Sequence, residues 1–196
     1  MAASPNTLIG DRYRVDLSRP RPELGGGLPA FAAVDTKSVD PRLVALCASR
    51  YASPRRRCLQ LLDRPIDNLM GPVAHGVGPR PGGGEAYYVI CNAPLGEPVA
   101  ANLEPWPESA LLEYVLRPIA QVLIALQTIG VTHRAIRPDN VFAIGQAQPV
   151  MLGAAWAAPP AQHQPAVFEP PFRHYALRPV AATAPRPMMS TLWACC

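Results

Sequence analysis

Eight consecutive residues, His133-Arg134-Ala135-Ile136-Arg137-Pro138-Asp139-Asn140, gather an imidazole, two guanidiniums, a carboxylate and a carboxamide. Arg137 can make a bidentate contact to a phosphate, and it can equally serve as a structural surface cation beside Pro138. Asp139 is an acid that could hold a metal ion. The competing reading of the string is a surface loop with scattered charges. Elsewhere the chemistry is sparse. His75, His163 and His174 stand alone, and no Ser-His-Asp or Cys-His arrangement follows from spacing. The cysteines at 47, 58, 91, 195 and 196 match no metal-site spacing, and an odd, scattered count argues against a disulfide scaffold. Reduced cytoplasmic thiols are the expectation.

Two elements must position the loop. Upstream, Glu108 to Ile129 carries Leu111, Leu112, Val115, Leu116, Ile119, Val122, Leu123, Leu126 and Ile129, a wide apolar stripe at helical spacing. Gly130 is suited to the position just past the helix end, and Pro118 is expected to kink that helix or divide it in two. Downstream, Val141-Phe142-Ala143-Ile144 and Pro149-Val150-Met151-Leu152 read as two short strands around the polar turn Gly145 to Gln148.

A helix, this loop and a hairpin in that order resemble the protein-kinase catalytic segment, whose loop reads H-R-D-[IL]-K-P-x-N. The resemblance places Ala135 where that family has its catalytic Asp, Arg137 where it has Lys, and Asn140 where an Asn holds a metal ion. The hairpin of kinases leads into Asp-Phe-Gly, whose Asp also binds metal. The aligned triplet is Ala154-Ala155-Trp156, so Ala154 occupies that acid's position.

The same resemblance extends toward the N-terminus. Leu24 to Val34 lies where the glycine-rich loop belongs, and Gly25, Gly26 and Gly27 permit close backbone approach to an anion. The spaced G-x-G-x-x-G is absent, and a flexible turn is an equal reading. Leu43-Val44-Ala45-Leu46-Cys47 resembles the strand that normally reads V-A-I-K, with Cys47 at the Lys position. A helix is expected over Arg55 to Leu62, basic where kinases carry the Glu that pairs that Lys. Its Arg55-Arg56-Arg57 reads as a solvated face or, alternatively, as a docking patch for an acidic partner. Tyr87-Tyr88-Val89-Ile90-Cys91 has a strong strand pattern, and Asn92 to Pro98 resembles the interlobe hinge. A bound adenine is expected to meet backbone groups near Cys91 and Ala93.

The fold implied is α+β, a protein-kinase-like two-lobe architecture. A β-rich N-lobe would span 1–91, a hinge 92–97, a partial helical C-lobe 98–156 and an irregular tail 157–196. The loss of base, metal acid and strand Lys implies a pseudokinase acting in regulation through a protein partner, with residual ATP and magnesium binding. The alternatives are an atypical active serine/threonine kinase and an unstable truncated fragment.

At 196 residues the chain is short for two full lobes, which usually need well over two hundred. The string Met188 to Cys196 suggests a reason. Read one base toward the 5′ side, its codons force an Asp and a Gly, a TCN serine codon gives Val, and permissible choices complete Asp-Asp-Val-Tyr-Ala-Leu-Gly-Val-Leu. That matches the D-[VI]-[YW]-[SA]-[LF]-G segment of a large-lobe kinase helix. The expectation is a frameshift near 172–175, with the residues after about 173 out of frame.

Composition agrees with a loop-rich chain of modest core, with 25 Pro, 14 Gly and only 16% charged residues. The net charge of +4 comes largely from Arg, with Lys37 the single lysine, a bias expected of a GC-rich bacterial gene. Apart from Arg55 to Arg57 the Arg residues are dispersed and do not interleave with stacking aromatics, so nucleic acid is not an expected partner. Met1 to Gly10 has neither the basic nor the apolar region of a secretory signal. No uninterrupted apolar run reaches bilayer-spanning length, so no membrane partner is expected.

Overall fold

The computed structural model describes residues 6–26, 28–38, 42–49, 56–101 and 104–155. Gly27, Arg55, Trp156 and the expectations for the tail 157–196 lie outside them.

Mixed α+β architecture is what these residues build. A six-stranded antiparallel sheet comprises β1 (Asn6–Ile9), β2 (Tyr13–Pro20), β3 (Ala30–Asp35), β4 (Leu43–Ser49), β5 (Pro72–Pro79) and β6 (Glu85–Asn92). Its order is β1-β2-β3-β4-β6-β5. The two ends of the sheet approach each other. A side chain at Gly76 or Gly78 of β5 would come within 2.7 Å of Ile9 on β1, so these two glycines leave the room that Ile9 fills. The sheet is therefore curled, and its strands turn alternate residues to opposite faces. Ile9, Val15, Phe31, Leu43, Ala45, Cys47, Tyr88 and Ile90 form one buried cluster. Val44, Leu46, Val89 and Cys91 belong to another, larger one.

That larger cluster continues without interruption into the helix and loop. It includes Ile119, Val122, Leu126, Ile136, Phe142, Leu152 and Ala154. It also takes Cys58 and Leu61 from a 3₁₀ helix at Arg56–Asp63. The i, i+3 spacing of those two residues suits three residues per turn. A second sheet, order β7-β8-β9, joins β7 (Glu97–Pro98) to β8 (Val141–Ala143) and β9 (Met151–Leu152). The end of the expected hinge is thus a strand, with Glu97 opposite Ala143.

The helical run Glu108–Thr128 changes its winding just before Pro118. It comprises α1 (Glu108–Ala110), a π-helical turn (Leu111–Leu116) and α2 (Arg117–Thr128), with Pro118 in the first turn of α2. The wider turn bonds the Arg117 N–H to Leu112 O and carries the helix through the proline without a break. Pro118 has no N–H for Tyr114 O four residues back. That carbonyl instead accepts the Val150 N–H at 2.8 Å, which ties the helix to the hairpin. At the other end Gly130 has φ 69. Its N–H bonds Gln127 O and the Val131 N–H bonds Leu126 O, a Schellman stop.

The run is 21 residues with mean hydropathy 1.5, long and apolar enough by length and composition to cross a membrane. The run is interrupted by two charges, Glu113 and Arg117, which pair with each other at 2.7 Å. Core helices of soluble proteins satisfy the same two criteria. Val115, Ile119, Val122 and Leu126 are buried here, whereas Leu112 and Ile124 are exposed.

Candidate functional site

The loop between helix and hairpin is a closed hydrogen-bonded unit, with His133 and Asn140 both 0% exposed. Arg134 adopts φ 62, a left-handed conformation uncommon outside glycine. The turn it makes lets the Ala135 N–H donate to His133 Nδ1 at 3.2 Å. With Nδ1 accepting, the imidazole proton sits on Nε2, which donates to Gly153 O at 2.8 Å. The ring is therefore a strut between loop and hairpin.

Asn140 is the second strut. Its Nδ2 donates to Ala135 O at 2.8 Å and to Ala154 O at 3.4 Å. Two carbonyls facing the carboxamide require a donor there, which fixes its orientation. Oδ1 is buried with no hydrogen-bond partner. The Gly153 backbone lies directly against it, since a Cβ on Gly153 would fall 2.0 Å from Oδ1. Sequence reasoning passed over Gly153. A glycine before two alanines gives no local signal, and only the approach of Asn140 reveals what it does.

Arg137 completes the loop with three contacts. Nε and Nη2 donate to the two carboxylate oxygens of Asp139 at 3.0 and 3.1 Å. Nη2 also donates to Gly26 O at 3.0 Å, across 111 positions of sequence. Hence the structure brings together Ala135, Arg137, Asn140, Ala154 and Gly26. Gly25 is buried next to Gly26, and its carbonyl accepts the Leu28 N–H at 3.0 Å.

The remaining expected residues stand elsewhere. Cys47 points away from the loop into the curled sheet, and its thiol shares a hydrogen bond with Tyr88. Burial pushes that thiol up and outweighs the opposing effect of its hydrogen bond with Tyr88. The β4 side chains on the loop's side are Val44 and Leu46. Cys47 and the loop that holds Arg137 and Asn140 therefore lie on opposite sides of β4. Cys91 is paired with Val44 on one side and Pro72 on the other, inside the ladder. Its thiol, fully buried, is pushed well up by burial. At the start of the expected hinge the Ala93 N–H donates to Arg42 O at 2.8 Å.

The two ligands implied by the kinase resemblance can be tested against these groups. Magnesium takes oxygen ligands in near-octahedral geometry, usually with one or two carboxylates. Asn140 Oδ1 is one neutral oxygen, Ala154 offers none from its side chain, and the Asp139 carboxylate faces Arg137. Among the described residues no three or more His, Cys, Asp or Glu converge. The set does not fit magnesium. At the glycine turn, Gly26 presents a carbonyl to Arg137 and so offers an anion no donor from that group.

No family model matches the chain, and no curated protein matches it. Among solved structures it is similar to the crystal structure of the pseudokinase PEAK1 (Sugen Kinase 269). The sequences are 14% identical and the TM-score is 0.49, over 79% of this chain and 47% of that one. The chain spans about half the length of that structure.

Proposed function

We propose that this chain is a protein-kinase-like module of two-lobe descent that has lost phosphoryl-transfer chemistry and acts in regulation by binding a protein partner. One observation carries the reading. At the two positions where the loop resemblance calls for a base and a metal-holding acid, the side chains are the buried methyls of Ala135 and Ala154, whose backbone carbonyls both accept from the single carboxamide of Asn140. Phosphoryl transfer rests on positioning and on neutralising charge with metal and cation. A loop that keeps its shape while its charged positions are methyl groups supports a retained scaffold role. The donor set argues against magnesium-dependent ATP affinity. A cytoplasmic location, argued from the scattered cysteines, belongs to the same proposal.

A thermal-shift titration with ATP, with and without magnesium or manganese, followed by a radiolabelled transfer assay, tests the reading. The expected result is no metal-dependent shift and no incorporated label. Label that disappears in Asp139→Asn would overturn it in favour of an atypical active kinase using Asp139 to hold metal.

A further inference from the structure

Arg137 is the residue whose surroundings the proposed function leaves unexplained. Its guanidinium is engaged through Nε and Nη2 by the Asp139 carboxylate two residues on, and through Nη2 again by the Gly26 carbonyl 111 residues back. The Asp139 contact is local and orients the guanidinium. The Gly26 contact joins the glycine turn of the first sheet to the loop that follows the helix. Both ends are firmly held. Behind Gly26, the 3₁₀ turn Pro22–Leu24 closes with Leu24 N–H on Arg21 O at 3.0 Å and Gly25 N–H on Pro22 O at 3.2 Å. Leu24 itself is 3% exposed in the main core. Behind Arg137, Asn140 and His133 lock the loop to the hairpin.

We propose that Arg137 is a latch, an internal strap that holds the Pro22–Gly26 turn shut against the His133–Asn140 loop. A charged donor on a neutral carbonyl is a strong hydrogen bond. The side chains of Arg137 and Asp139 are 38% and 48% exposed, so the latch lies at the surface where it can open without unpacking the core. Three contacts from one side chain make a switchable element, since releasing the guanidinium removes the tie between the turn and the loop in one step. The latch stands on these distances and does not depend on the kinase reading.

Hydrogen-deuterium exchange tests it on the full chain. In Arg137→Gln, the amides of Leu24 and Gly25 should exchange about tenfold faster than in the parent, while those of the β1–β2 hairpin are unchanged. Arg137→Lys, which keeps a charged donor without the planar fork, should fall between the two. No acceleration at Leu24 and Gly25 in the Gln variant, or an equal acceleration across the hairpin, would overturn the latch. If Arg137→Gln fails to fold, Asp139→Asn decides by the same criterion. It removes only the orienting carboxylate, and a rise confined to the same two amides supports the latch while an absent or uniform rise refutes it.

Discussion

Asn140 is a residue whose surroundings have turned it from a candidate ligand into a structural part. Its carboxamide satisfies two carbonyls and its Oδ1 presses on Gly153. A methyl added at Gly153 would meet Oδ1 at 2.0 Å and the Asn140 backbone oxygen at 2.8 Å. Because one of these contacts is backbone, little can move aside. Gly153→Ala is expected to destabilise by roughly 2–4 kcal/mol, read from urea denaturation. Asn140→Ala should cost less, about 1–2 kcal/mol, because it strands two carbonyls but also removes an unpaired oxygen. An unchanged denaturation midpoint in Gly153→Ala would show that the loop and hairpin are not in contact as described.

Elements show where local pattern suffices and where it does not. The apolar stripe from Leu111 to Leu126, the stop at Gly130 and the hairpin strands were legible because helix and strand periods are local properties. The order of helix, loop and hairpin was legible for the same reason. The π turn before Pro118 was not, since Tyr114 O within it takes the Val150 N–H, a partner 36 positions away. Nor was β1, which the sequence reading left unassigned. Ile9 finds its place only against Gly76 and Gly78, and no window near Ile9 contains them. The face of Cys47 was equally hidden, because alternation says which residues share a side and the packing of the whole sheet decides which side is which. One experiment isolates that packing. Gly76→Ala alone is expected to destabilise by about 1–3 kcal/mol through overpacking. Combined with Ile9→Ala it should cost less than the sum of the single changes, a coupling of about 1 kcal/mol or more in a double-mutant cycle. Strict additivity would deny the contact between β1 and β5.

Across the whole molecule, ionisable groups set the pH range in which the fold holds. Cys91 and Cys47 are raised by burial above the ordinary thiol value of 9.0. Tyr88 is raised above 10.0, first by burial and then by the neighbouring Cys47. In each case the unfolded chain loses its proton before the folded one does. Their contribution is therefore complete below about pH 8 and declines as pH rises through the unfolded values toward the folded ones. Asp35, held low by the Arg12 hydrogen bond, and Asp16, held low by the Ser18 hydroxyl, work in the opposite direction. They contribute above their ordinary value of 3.8, and that contribution is lost as pH falls below it. Asp16 is half-buried, and the Asp35 side chain is covered by an Arg12 that is itself 44% exposed, so the acid limb should be salt-sensitive. Urea midpoints across the pH range should show a steeper alkaline limb, flattened in Cys47→Ala. An alkaline limb as shallow as the acid one would contradict the burial of these groups.

The six-stranded sheet has an apolar cluster on each face, and that gives the chain a pair of built-in reporters. Cys47 lies on the side closed off by β1, and Cys91 lies on the side shared with the helix and hairpin. A thiol reagent therefore reaches Cys47 only when the curled sheet opens, and Cys91 only when the sheet parts from the helix. Two modification rates measured on one sample separate the breathing of the sheet from the parting of the two halves of the molecule.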